Sequence, residues 1–227
     1  MRQEHSPLNP LPWIIWVLAL PLIAMELVIS LGAAGIANGP GGADWRIQAL
    51  ERFAVFPQII RAGWERGQLI PPEPWRLVSY VTVHGSLTNT LFAVVILLAL
   101  GKFAAEIFRW WAIVVIWLAS SIAGAVIYTL VLPPDAPPLF GAFPPDYGLI
   151  GAFTFLLWMR LQGTGHNRYR AFALVGILLA AQVLFAFVFG GGHGWVADFA
   201  GFATGFLLSF VLIPGGLRQV VARLRQR

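Results

Sequence analysis

The sequence from residue 11 to residue 34 is LPWIIWVLALPLIAMELVISLGAA, and Glu26 is its single charged side chain. A helix needs about 20 mostly apolar residues to cross the hydrocarbon core of a bilayer, which is about 30 Å thick. The stretch is long enough, and it leads into a charged segment rather than a small-residue cleavage site. We therefore interpret it as a retained transmembrane helix and not as a secretory signal peptide.

The whole chain has the composition of a membrane protein. Of its 227 residues, 58% are hydrophobic and 11% are charged, whereas soluble domains are about half apolar and about a quarter charged. It contains no cysteine, which excludes disulfides, thiolate metal sites and cysteine nucleophiles. The histidines show no metal-ligand spacing, and no phosphate-binding glycine loop is present, so we expect no metal and no cofactor. The four histidines are His5, His84, His166 and His193.

Further apolar runs predict an all-α membrane protein of six transmembrane helices, forming a single domain over residues 1–227. The predicted spans are 11–34, 77–100, 110–132, 147–161, 171–190 and 195–213. The fourth span is the shortest and is flanked by glycine-rich and polar segments, so we expect it to lie inside the bundle. Proline- and glycine-rich pieces at 38–42, 71–74, 133–138 and 143–145 indicate turns.

The distribution of basic residues predicts that both termini are cytoplasmic. That orientation leaves the third and fifth loops, which are external, without Lys or Arg. The net charge of +5 then faces cytoplasm and anionic lipid headgroups and does not indicate nucleic-acid binding. We expect a multi-pass protein of a bacterial inner membrane with lipids as partners. The predicted cytoplasmic basic residues are Arg2, Lys102, Arg109, Arg160, Arg168, Arg170, Arg218, Arg223, Arg225 and Arg227.

The first loop, residues 36–76, carries five arginines on the predicted external side. Its apolar residues recur with nearly helical spacing, between charged residues such as Arg46 and Arg61. This pattern favours one or two amphipathic helices in the membrane interface, with snorkelling arginines, over a plain solvated loop.

Polar side chains within or beside the spans need an explanation, because each charged group costs roughly 2.5–3.5 kcal/mol at a helix centre. They are Glu26, Asn89 and Asp198, with Asp146 just before the fourth span. One interpretation is an ion or proton path. The other is a buried hydrogen-bond network with a neutral carboxyl, which we favour because no helix face carries a run of carboxylates.

Small residues recur on two of the spans. Gly148 and Gly151 open the fourth, and Gly201 and Gly205 form a G-x-x-x-G in the sixth. Such spacing lets two helix backbones approach closely. We therefore predict that the fourth and sixth spans pack against each other.

The order of several motifs resembles the rhomboid family of intramembrane serine proteases. The similarity covers about residues 75–213 and includes a W-R pair, H-G-S-L-T-N, G-x-x-x-x-E, GAFPPDYGLIGA and ADFAGFATG. These motifs are Trp75-Arg76, the residues from His84 to Asn89, Gly101 with Glu106, residues 141–152 and residues 197–205. The resemblance implies a rhomboid-like bundle and a serine–histidine dyad that cleaves peptide bonds within the membrane.

The departures from the family pattern fall on that chemistry. Position by position, the resemblance puts Phe143 at the nucleophilic serine and Asp198 at the histidine. It puts Asn89 at the oxyanion histidine and Ala93 at the oxyanion asparagine. Phenylalanine has no nucleophilic atom, so an acyl-enzyme cannot form there. The resemblance therefore implies a degenerate member that has lost the dyad.

Four functions stay open at this stage. The first and favoured one is a pseudoprotease that binds transmembrane segments of client proteins. The second is a serine-type intramembrane endopeptidase with altered catalytic residues. The third is an ion-coupled transporter using Glu26, Asn89 and Asp198, although no inverted repeat supports it. The last is a structural assembly factor. The serines near membrane depth that the second would need are Ser79, Ser86, Ser120, Ser121 and Ser209.

Overall fold

A computed structural model of the chain describes residues 11–36, 44–161, 167–189 and 192–214. These residues form nine α-helices and no strand, apart from one isolated bridge between Val55 and Leu139. The helices are α1 (Trp13–Ala33), α2 (Trp45–Phe53), α3 (Pro57–Glu65), α4 (Arg76–Ser79), α5 (Leu87–Ala105), α6 (Trp110–Val131), α7 (Phe143–Leu161), α8 (Ala173–Phe189) and α9 (Trp195–Leu212). Outside the described residues lie Arg2, His5, His166, Gly190, the predicted turn at 38–42 and the arginines from Arg218 onward.

Four of these helices are long and apolar enough to cross a membrane, namely α1, α5, α6 and α9. The prediction of an all-α, multi-pass membrane protein is confirmed. Three of the four match predicted spans to within two residues at each end. The other two predicted spans correspond to α7, which is mostly buried, and to α8, which has 17 residues. The count of six spans stays a prediction.

The predicted start of the second span was wrong. Residues 76–82 form the short α4 and a 3-10 turn, and the spanning helix α5 begins only at Leu87. Ser86 has extended backbone angles, and its hydroxyl accepts a hydrogen bond from the Asn89 backbone N–H at 3.2 Å. This is an N-cap, which starts a new helix there. The fourth span differs too, because α7 begins at Phe143 rather than at residue 147. Proline fits the first turn of a helix, and Pro144 and Pro145 occupy it.

Helices α7 and α9 pack most extensively, with α6 beside both. Their glycines let the backbones touch. A Cβ atom placed at Gly205 would overlap the carbonyl of Gly148, and one at Gly201 would overlap the carbonyl of Pro144. One at Gly151 would overlap the carbonyl of Phe202. The predicted small-residue faces therefore meet in the centre of the bundle.

Helix α8 lies at the edge of this core. Its first half joins a small apolar cluster in which Val175 packs with Tyr147, Ile150 and Phe202. It makes few contacts with α7 and α9. Most of its other described side chains are half-buried or exposed.

The first loop contains the two helices α2 and α3, in agreement with the prediction of one or two. The snorkelling of Arg46 and Arg61 was wrong. Both guanidinium groups turn into the bundle, where Arg46 binds Glu26 and Arg61 donates to the backbone carbonyls of Thr129 and Leu130 at 2.8 and 3.2 Å. These carbonyls end α6, and helix ends carry unsatisfied acceptors that a cation stabilises. The interfacial position of the loop stays a prediction.

Candidate functional site

The site is built around the first turn of α7. Gly201 lies against the Pro144 carbonyl, and Gly124 of α6 faces both Pro144 and the Ala197 carbonyl. Because Phe143 precedes Pro144 and Asp198 follows Ala197, the two positions that match the family's dyad lie at the same level of the bundle.

Phe143 contributes no chemistry to this site. Its side chain is partly buried and packs against the apolar cluster of Tyr147, Ile150, Val175 and Phe202. The ring therefore joins α7 to α8 and α9 by apolar contact, where a nucleophile would have to face its substrate.

Backbone donors on either side of Phe143 are missing or already used. The Gly141 N–H donates to the Tyr80 carbonyl at 3.0 Å, and the Ala142 N–H donates to His84 Nε2 at 3.2 Å. Pro144 and Pro145 have no N–H. An oxyanion hole in acyl transfer needs donors aimed at the developing charge. The four residues flanking Phe143 leave none for that purpose.

His84 is held as a neutral hydrogen-bond acceptor. It is almost fully buried, and burial is the main reason that its pKa falls to about 4. Since Nε2 accepts the Ala142 N–H, the ring proton sits on Nδ1, which has no partner among the described residues. His84 therefore fixes the residues just before α7 and does not face a serine.

The two positions that match the oxyanion residues differ in their surroundings. Asn89 is exposed in the first turn of α5, whereas Ala93 is buried and apolar. Only Asn89 offers a side-chain donor, and it lies on the outside of the bundle.

Asp198 is buried in the first turn of α9, and one of its oxygens accepts a hydrogen bond from Gln182 Nε2 of α8 at 2.9 Å. Asp146 is fully buried in α7, and neither of its oxygens has a partner among the described residues. Asp198 lies within electrostatic range of Asp146 and Tyr147. The structure thus brings two carboxyls to the level of Phe143, at the first turn of α7.

Glu26 belongs to a different place, the contact between α1, α2 and α5. It accepts hydrogen bonds from Arg46 at 2.7 and 3.1 Å, from Thr90 at 2.8 Å and from Ser30 at 3.1 Å. Its charge is matched within the fold. Glu26 thus lies in a buried hydrogen-bond network, but as the ion-pair partner of Arg46 and not as the neutral carboxyl that the structural interpretation expected.

The serines that an altered protease would need are engaged with backbone. Ser79, Ser120, Ser121 and Ser209 donate to carbonyls, and Ser86 caps α5. None of these five hydroxyls bonds to either of the two histidines that the structure describes, His84 and His193. Thr154 is fully buried on α7, and its hydroxyl has no partner among the described residues.

The remaining motif residues, Trp75, Arg76, Gly101 and Glu106, lie in the first loop or at the contact between helices. Arg76 is buried, forms an ion pair with Glu73 and donates to the carbonyls of Glu51 and Ala54 at 2.8 Å. Trp75 is exposed beside an open pocket of about 550 Å³. Gly101 lies against Ile15 of α1, and Glu106 directly follows α5.

Two residues important to this arrangement were missed in the sequence. Gln182 is a polar side chain within an apolar span, and the rule that singled out Asn89 could have found it. Arg46 gave no comparable signal, because its partner is 20 positions away and the loop pattern favoured a lipid-facing arginine.

The family model for the rhomboid domain matches residues 71–215. The chain belongs to the rhomboid family. It is 23% identical to RHOMBOID-like protein 5 of Arabidopsis thaliana, with 93% of this chain and 72% of that protein covered. It is 29% identical to RHOMBOID-like protein 4 of the same plant, with 62% of this chain covered. The match spans only about a third, 34%, of RHOMBOID-like protein 4.

Membership of the rhomboid family explains why these motifs occur together in this chain. The matched region contains the frame residues from Trp75 to Glu106, the turn before α7 and the glycine contact between α7 and α9. It also contains Phe143 and Asp198, which therefore lie inside the rhomboid domain itself.

Proposed function

We propose that this rhomboid-family protein is a pseudoprotease that binds transmembrane segments of client proteins. The observation that carries the proposal is Phe143, which packs into an apolar cluster at the position of the family's nucleophile. In a well-studied serine protease, loss of the nucleophile costs about a millionfold in turnover, and loss of one oxyanion donor costs roughly 100–1000-fold. Here the position of the nucleophile has no hydroxyl, and of the two oxyanion positions only Asn89 keeps a side-chain donor, on the outside of the bundle.

The surroundings of Phe143 support the same conclusion. Two prolines and two engaged N–H groups flank it, His84 accepts a hydrogen bond from the main chain, and the five candidate serines bond to backbone. An altered serine protease would need at least one hydroxyl paired with a base.

Client binding is supported by the arrangement of α8. Helix α8 makes few contacts with α7 and α9, and large apolar side chains are exposed on α5 and α8, including Leu91, Phe92 and Ile177. A transmembrane helix associates with such a surface by close van der Waals packing. We further propose that the first loop lies in the membrane interface and that both termini are cytoplasmic.

Chemistry is tested with the purified protein in proteoliposomes. A fluorophosphonate probe and a single-span reporter substrate should give no labelling and no cleavage above a Phe143→Ala variant. Labelling or cleavage that exceeds this variant would favour the altered protease.

Binding is tested with a photo-cross-linker in native membranes. Placed at Ile177 of α8 or Leu91 of α5, it should capture single-span proteins more efficiently than at Leu20 of α1, which is also exposed. Equal capture at all three positions would contradict the proposed surface.

A further inference from the structure

Two carboxyls beside the first turn of α7 lack a cationic partner among the described residues. Asp146 is fully buried with both oxygens unpaired, and Asp198 accepts from the neutral amide of Gln182. Glu26 makes the contrast clear, because the fold supplies it with Arg46. A buried acceptor without a donor destabilises the folded protein. The level of Asp146 and Asp198 thus has an excess of acceptors.

The amide that binds Asp198 leaves this excess in place. Gln182 donates through Nε2, but its Oε1 atom is buried and has no partner in the described part of the chain. Gln182 thus provides a donor to one oxygen of Asp198, but its own Oε1 atom is a further buried acceptor at the same place. A group with several N–H donors and a positive charge would match this place better than a neutral amide does.

Helix α8 supplies the side chain that bonds to Asp198. Val175, Leu178 and Leu179 join the apolar cluster near the start of the helix, and further along α8 the Gln182 amide donates to Asp198. Gln182 is half-buried, and the apolar side chains Val183 and Leu184 that follow it are exposed. A donor that displaces the Gln182 amide at this apolar surface would arrive on another membrane helix.

A bound metal ion fits this place less well than a tethered cation. The described residues contain no group of three His, Asp or Glu side chains arranged to hold a metal. A lysine or arginine on a membrane helix brings its charge together with apolar packing surface.

The place of Asp198 in α9 sets the level at which a client's charge must lie. Asp198 is three residues from the start of α9, which is about 5 Å along the helix axis.

We infer that the preferred clients carry a lysine or arginine about one turn inside the membrane, at the level of Asp198. Its cationic group displaces the Gln182 amide from the Asp198 carboxylate, while the client helix packs against the exposed apolar side chains of α8. This inference rests on the proposed function, which is client binding, and specifies which transmembrane segments the protein prefers.

The test uses three leucine-rich single-span reporters, reconstituted with the full chain in proteoliposomes and measured by energy transfer. One has lysine one turn from the end that lies at the Trp195 side of the bundle. Another has lysine one turn from the opposite end, and the third has leucine at both positions. The first should bind about tenfold more tightly than the other two.

Two variants of the protein locate the effect. Asp198→Asn keeps an acceptor for Gln182 and should abolish the preference for the first reporter over the other two. Gln182→Leu removes the competing donor and should increase affinity for the first reporter. Size-exclusion profiles check that both variants fold.

The outcomes separate the two proposals. Equal binding of all three reporters would overturn the inference and leave client binding intact. A preference that persists in Asp198→Asn would also overturn it. If no reporter binds, the proposed function fails and the inference fails with it.

Discussion

Arg46 of α2 donates both terminal guanidinium nitrogens to the Glu26 carboxylate of α1, at 2.7 and 3.1 Å. It also donates to the His84 carbonyl at 2.6 Å. One side chain thus fastens the first loop to the bundle and to the segment that precedes α5.

Removing one member of this pair should destabilise the fold more than removing both. We expect Glu26→Gln or Arg46→Gln to cost about 3 kcal/mol, the low end for a buried pair because 24% of the Arg46 side chain is exposed. The double variant should lose clearly less than the two single losses combined. Thermal unfolding in detergent measures this, and strictly additive losses would contradict it.

His84 should make the stability pH-dependent. Burial lowers its pKa from 6.5 to about 4, with Arg46 acting in the same direction and Glu26 opposing. The unfolded chain binds the proton at about pH 6.5 and the folded protein only near pH 4, so stability is complete above 6.5 and falls towards 4. The loss is on the order of 3 kcal/mol.

Melting temperatures from pH 4 to 8 measure this effect. His84→Gln keeps an acceptor for the Ala142 N–H and does not titrate, so it serves as the control. As the pH falls from 8 to 4, the melting temperature of the wild-type protein should drop by more than that of His84→Gln. Parallel curves would show that His84 contributes nothing.

Gly205 should not tolerate even one added methyl group. Gly205→Ala would drive its Cβ into the Gly148 backbone, which cannot move as a flexible side chain can. We expect a loss of at least 1–3 kcal/mol, the usual cost of overpacking. Gly176→Ala on α8, where a Cβ meets nothing within 4 Å, is the matched control. Similar melting temperatures for the two variants would argue against the tight contact.

Restoring the dyad alone should not restore catalysis. Phe143→Ser with Asp198→His supplies a nucleophile and a base, but Pro144 and Pro145 still lack N–H groups and the Ala142 N–H still binds His84. We expect no labelling by a fluorophosphonate probe, with an active serine hydrolase as the positive control. Labelling of this double variant would show that the missing and engaged N–H groups beside residue 143 do not prevent nucleophilic attack by a serine there.

Arg61 should matter for stability through the geometry of its guanidinium group. It donates to several carbonyls at the end of α6, including Thr129 and Leu130. Arg61→Lys keeps the charge but loses the planar fork, so we expect a loss of about 1–3 kcal/mol. Arg66→Lys, at an exposed position one residue after α3, should change stability by less than about 0.5 kcal/mol. Equal melting temperatures of the two variants would exclude a special role for Arg61.

The sequence predicted the parts of the fold that depend on composition and local spacing. Apolar length identified the spanning helices, and the glycine spacing identified where α7 and α9 meet. The start of α5 was predicted wrongly because residues 77–83 are also apolar, and hydropathy does not register the Ser86 cap. The available signal was a serine directly before an apolar helical run, since Ser86 precedes Leu87 and serine is a preferred N-cap residue.

Contacts between distant residues were beyond the sequence. Arg46 and Glu26 are 20 positions apart, and Arg61 and Thr129 are 68 apart. Both arginines lie in a loop whose pattern equally suits lipid-facing side chains. The site was predicted by position from the family motifs, but the occupied backbone donors around Phe143 depend on how the chain folds back on itself.

The two prolines after Phe143 have an evolutionary consequence. A single reversion to serine at residue 143 would gain no oxyanion donors, and a single proline replacement would gain no nucleophile. Each step brings no benefit until the others are in place, so selection for hydrolysis has no gradual path to follow. Relatives that share the two prolines should therefore show no serine gained alone at residue 143, and Phe143 should vary among apolar residues that fill the same cluster.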